Sequence, residues 1–155
     1  MYNKIMLDFI YQCKLFLIPF IIIVCAQLMK FSRLSIKHGF QWTDLFDPGH
    51  FPSAHSAFVT SLLITIGYYN GMFSGVFAIA ACFAFITIYD AMRVRMQIGI
   101  QGKMLNQLVE SIPNITKEKF PRLKEHVGHY ANEVIGGIFV GILLTTLLIF
   151  LIEYF

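Results

Sequence analysis

The stretch VIGGIFVGILLTTLLIFLI, residues 134–152, runs for nineteen residues without a charge. As a helix it would rise about 28 Å, close to the roughly 30 Å hydrocarbon core of a bilayer. The rest of the chain agrees with a membrane reading. Hydrophobic residues make up 57% and charged residues 14% of the 155, against about 45–50% and about 25% in soluble domains. A single transmembrane domain over residues 1–155 is expected.

Three further apolar segments precede it, at residues 15–29, 57–69 and 72–88. The first reaches back to Tyr11 if Lys14 snorkels. It imitates a secretory signal but runs into Gln27-Leu28-Met29-Lys30 with no small-x-small cleavage pattern, and reads as a retained span. Tyr69-Asn70-Gly71 is a turn signal joining the second and third spans as a hairpin. The predicted fold is therefore all-α: a polytopic helical bundle of about four spans.

Two polar connections separate the spans. Residues 31–56 contain Asp47-Pro48-Gly49 and Phe51-Pro52, which break helix and suit a re-entrant segment lining a cavity. Residues 93–133 contain Met104-Leu105 and Leu108-Val109 among Asn106, Gln107 and Glu110, the pattern of an amphipathic helix at the interface.

Ten of the twelve Lys and Arg residues lie in or beside these two connections, against Lys4 and Lys14 on the other side. Leaving out Lys30, Arg93 and Arg95 still gives seven against two. The positive-inside rule then places both connections in the cytoplasm, in an inner or cytoplasmic membrane. The cations read as topology determinants, and no nucleic-acid surface is implied. Cys13, Cys25 and Cys82 show no ligand spacing and read as free thiols. Gly136, Gly137 and Gly141 suit close helix packing, within one chain or between copies in a homo-oligomer.

The topology gathers polar residues at one membrane face: Lys30, His55, Asp90, Arg93, His129 and Glu133. Ionisable groups at such depth are costly and usually serve a function. His129 and Glu133 are four apart, so on a helix the carboxylate reaches one ring nitrogen and frees the other as nucleophile or base. The same spacing also fits a capping pair. Pro52-Ser53-Ala54-His55-Ser56 sets a helix start beside an imidazole, suited to binding an anion and donating a proton; an ordinary N-cap fits too. Asp90 and Arg93, three apart, are spaced to pair, and one of Arg93 and Arg95 would face the cluster. Lys30 fits either a point charge for phosphate or a cytoplasmic anchor. His126, His129 and Glu133 also have metal-ligand spacing, but a second ligand cluster is missing, so no metal or other cofactor is expected.

Five blocks in order complete the pattern: Ala26-Gln27-Leu28-Met29-Lys30, Phe51-Pro52-Ser53-Ala54-His55-Ser56-Ala57, Tyr89-Asp90-Ala91-Met92-Arg93-Val94-Arg95, Leu105-Asn106-Gln107 and Gly128-His129-Tyr130-Ala131-Asn132-Glu133-Val134. Over most of its length the chain resembles the small divergent branch of the type 2 phosphatidic acid phosphatase superfamily, also described as acid phosphatase/vanadium-dependent haloperoxidase-related membrane proteins. The resemblance implies a metal-independent lipid phosphatase acting through a phosphohistidine. His129 would be the nucleophile, Glu133 its orienting partner and His55 the general acid. Lys30 and Arg93 or Arg95 would bind phosphate, with Ser53 and Ala54 presenting hydrogen bonds from the loop. Phosphatidate, phosphatidylglycerophosphate or a polyprenyl phosphate would be the substrate, and membrane lipids its surroundings. Ala54 stands where the family has Gly or Ser, Glu133 where it has Asp, and Gly49-His50-Phe51 where the branch commonly has Gly-Gly-Met. The alternative is a non-catalytic phospholipid-binding or scaffolding protein.

Overall fold

A computed structural model describes residues 2–42, 50–112, 120–125 and 128–154, with side chains from Cys13 onward except at position 38. Five helices follow in order: α1 (Tyr2–His38), α2 (Ala54–Asn70), α3 (Gly75–Tyr89), α4 (Arg95–Ser111) and α5 (Ala131–Tyr154). A five-residue π turn, Asp90–Val94, joins α3 to α4 without a break. No strand occurs among the described residues.

Three stretches are long and apolar enough to cross a membrane: Cys13–Lys37, Gly75–Ser111 and Ala131–Tyr154. The 17-residue α2 lies at the short end of the spanning range. It is nevertheless the centre of the bundle, packed against α1, α3 and α5.

The interior is rich in small and polar residues beside Ile18, Ile22, Val59 and Ile66, while the exterior is large and apolar. Buried on α2 are Ser56, Ala57, Thr60, Ser61 and Thr65, whereas α3 buries only Ala80 and Ala84 and turns Ile79, Phe83, Phe85 and Ile86 outward. In lipid an apolar exterior carries no penalty, so helices associate through close contact of small residues. Ile22, Ala26, Ala54, Ala57 and Val140 form the core cluster among α1, α2 and α5. On α5, Gly137 and Gly141 face that seam: a Cβ on Gly141 would lie 2.7 Å from the Ala57 carbonyl oxygen. The close packing open to either arrangement in the sequence is thus used within the chain.

Two helical runs continue well past the expected C-terminal ends of their spans. α1 does not end at Met29 but continues to His38, since no breaker follows Lys30 before Gly39. α3 does not end at the charged Asp90 but runs through the π turn into α4. The charges at 30 and 90 thus lie within continuous helical runs and not at helix ends. Asp47-Pro48-Gly49 lies outside the described residues; the connection described from His50 on brings Phe51 to the wall of a cavity. At the opposite end of the bundle, Lys14 Nζ and the Tyr69 hydroxyl each donate to Glu153 Oε1 at 2.7 Å, tying α1, α2 and α5 together.

Candidate active site

Ser53 starts α2. Its extended backbone (φ −69°, ψ 111°) lets its Oγ accept the Ser56 N–H at 3.3 Å and the Ser56 hydroxyl at 3.0 Å. The Ser53 N–H donates to the Glu133 carbonyl at 3.0 Å, pinning the loop to the first turn of α5. Gly136 and Gly137 make the seat. A Cβ on Gly136 would run into the Phe51 ring, and one on Gly137 into the Ser53 carbonyl. His55 is thereby set in the first turn of α2 with an exposed imidazole.

His129 reaches the same place from the other side. Its N–H donates to the Ala91 carbonyl of the π turn at 3.0 Å, and Gly128 lies flat against the Met96 backbone. His129 Nδ1 is 2.9 Å from Glu133 Oε2, with both residues buried (9% and 7% exposed). The same carboxylate oxygen accepts the Tyr130 N–H at 3.1 Å. Glu133 is the third residue of α5, and this backward bond is half of a capping box. The capping and orienting readings are therefore one arrangement. A carboxylate only accepts, so Nδ1 carries a proton, and in the neutral ring Nε2 keeps its lone pair.

Arg95, His129, Lys30 and Asp90 all act electrostatically on His55, so α1, the π turn with the start of α4, and the loop before α5 meet near the start of α2. Lys30 is buried at 5% exposure, with its stem inside the bundle. Asp90 pairs with Arg95 and not with Arg93: Arg95 Nε donates to Asp90 Oδ2 at 2.8 Å. The wide π turn brings residues five apart into register, as α spacing does for three or four. Arg93 is exposed and outside the set of charges that act on His55. Ala54 turns its methyl into the core cluster, and Ser53 spends both N–H and Oγ on the fold. His126 lies outside the described residues, among which no group of three potential metal ligands gathers.

A cavity of about 520 Å³ with basic side chains on its wall lies at Glu133, lined also by Arg33, Leu34, Lys37, His50, Phe51 and Asn132. Neither His55 nor His129 lines it. Sequence reasoning passed over these cations as topology determinants. The available signal was the spacing of Lys30, Arg33 and Lys37, at i, i+3 and i+7 on one helical face.

The model of the divergent PAP2 family matches residues 11–144. The chain is similar to YuiD of Bacillus subtilis (strain 168), described as an uncharacterized membrane protein, at 36% identity over 138 residues, covering 81% of this chain and 87% of that protein. No solved structure matches. The chain is an all-helical integral membrane protein, and it belongs to the divergent PAP2 family.

Proposed function

We propose that the protein hydrolyses a lipid phosphate monoester through a phosphohistidine intermediate, without a metal. The observation that carries this reading is the buried His129–Glu133 pair at 2.9 Å beside the charges centred on His55. Lys30 and Arg95 neutralise the phosphate dianion, and Asp90 holds the Arg95 guanidinium by its Nε so that the terminal nitrogens face the ligand. His129 Nε2 attacks phosphorus in line, the P–O bond to the lipid breaks, and His55 protonates the departing alkoxide. Water, deprotonated by His55, then attacks the phosphohistidine and releases inorganic phosphate. Glu133 stabilises the charge that His129 gains during transfer.

A substrate whose tail stays in the bilayer suits a site at the membrane boundary, so phosphatidate, phosphatidylglycerophosphate and polyprenyl phosphates are the class to assay. The ten-to-two distribution of Lys and Arg supports a cytoplasmic site in the cell's inner or cytoplasmic membrane. The test is phosphate release from each lipid by the purified protein and by His129→Ala and His55→Ala. Both substitutions are expected to lower turnover by about 10²-fold or more. Equal release by all three proteins rules the mechanism out, and binding of vanadate without hydrolysis would assign a non-catalytic lipid-binding role.

A further inference from the structure

The cations of the 520 Å³ cavity have no part in the proposed chemistry. Arg33 and Lys37 stand one turn apart near the end of α1, His50 enters from the loop, and Asn132 from the first turn of α5. The Arg33 guanidinium lies over the Phe51 ring at 5.1 Å, which fixes its direction at little entropic cost. Among the described residues Glu133 is the sole carboxylate on the wall, and its side chain is engaged with His129 and the Tyr130 N–H. Among the described residues no carboxylate pairs with Arg33 or Lys37.

Arg33 also borders a second cavity. This one, about 490 Å³, runs along the outer face of α1 and is walled by Leu28, Met29, Ser32 and Ile36. A cationic chamber thus adjoins, across one arginine, an apolar strip of α1 whose Leu28 and Met29 lie on the mid-span side of Arg33. A free anion has no use for the strip, and a neutral lipid none for the cations.

We propose that these two cavities form one binding site for an anionic phospholipid, distinct from the His129 centre. The headgroup phosphate lies among Arg33, Lys37 and His50, and an acyl chain lies along Leu28 and Met29. Arg33 at the junction binds the phosphate through its terminal nitrogens. The site needs no turnover and stands whether or not the protein is a phosphatase.

Native mass spectrometry of the detergent-purified full chain tests this with phosphatidylglycerol, phosphatidylcholine and inorganic phosphate as probes. Phosphatidylglycerol is a diester and therefore no substrate for monoester hydrolysis. Wild type is expected to bind it at least about tenfold more tightly than phosphatidylcholine, and Arg33→Gln/Lys37→Gln to abolish the preference. Lys37→Gln alone, a milder change on an exposed face, is expected to reduce it severalfold with unchanged helicity. Leu28→Ser/Met29→Ser is expected to weaken the lipid and leave inorganic phosphate unaffected. Undiminished preference in Lys37→Gln and in the double glutamine variant overturns the proposal. Displacement of the lipid by vanadate would put it at His129 instead, and equal affinity for inorganic phosphate would reduce the site to one for a free anion.

Discussion

Asp90 and Arg95 meet at 2.8 Å because a π turn, and not an α turn, separates them. The turn does two further things. It lets α3 continue into α4, and its Ala91 carbonyl receives the N–H of His129. One local irregularity therefore positions both the arginine proposed to bind phosphate and the proposed nucleophile, in keeping with the frequent occurrence of π bulges at functional sites.

The two arginines are accordingly expected to separate by mutation. Arg95→Ala should lower kcat/KM for a lipid phosphate by about 10²-fold, the usual loss of one preorganised donor. Asp90→Ala, which only frees the guanidinium, should cost about tenfold. Arg93→Ala, an exposed change, should stay within about twofold. Steady-state kinetics on the three variants checks the order.

Glu133 has two duties that a pair of substitutions can distinguish. Glu133→Gln keeps an oxygen for the Tyr130 N–H and so preserves the helix start, but it no longer enforces the Nδ1–H tautomer of His129 or stabilises its charge. Turnover is expected to fall by about 10²–10⁴-fold at near-normal stability. Glu133→Ala should lose the cap as well and destabilise by about a further 1 kcal/mol. Thermal unfolding in detergent beside the activity assay separates the two effects.

How far the site was legible in the sequence follows from helical spacing. His129 and Glu133 are four apart, so their pairing needed only the assumption of a regular turn. Asp90 and Arg95 are five apart, so the same assumption pointed to Arg93 instead. The four apolar segments were readable as bundle helices because lipid demands an uncharged run. Their true ends were not, because charge was read as the end of helix, whereas the helices continue past Lys30 and Asp90. Lys30, Arg33 and Lys37 were separated by that error into a span end and a loop, which hid their common face. His50 was hidden for another reason. It adopts a left-handed backbone (φ 71°), a conformation that side-chain type alone does not announce.

The glycines of α5 give a packing prediction. Gly137→Ala and Gly141→Ala force the Ser53 and Ala57 carbonyls away from α5, at an expected cost of about 1–3 kcal/mol. The first also displaces the loop that carries His55, so activity should fall with stability. Gly75→Ala, at an open position that begins α3, should be neutral or stabilising by up to about 1 kcal/mol. Thermal denaturation of the three variants provides the comparison.

The segment from Phe120 to Glu125 should respond to acid. Asn106 clamps Leu123 through its N–H at 3.0 Å and its carbonyl at 2.9 Å, and donates to Glu125 Oε1 at 3.0 Å. That bond, with Arg122 beside it, holds the Glu125 carboxyl below its ordinary 4.5. A carboxyl lowered by folding contributes its docking fully above 4.5 and loses it as pH falls through the depressed value. A spin label at Lys124 should remain immobile at neutral pH and gain mobility below pH 4.5, whereas Glu125→Gln should show a weaker dependence on pH.

Covalent trapping tests the phosphohistidine most directly. The purified protein is mixed with a ³²P-labelled lipid phosphate, quenched in alkali to preserve phosphohistidine, and mapped by peptide. Label is expected on His129, absent from His129→Ala, and unchanged in Arg93→Ala. A protein that releases phosphate yet carries no label, or carries it on a residue other than His129, would contradict the account.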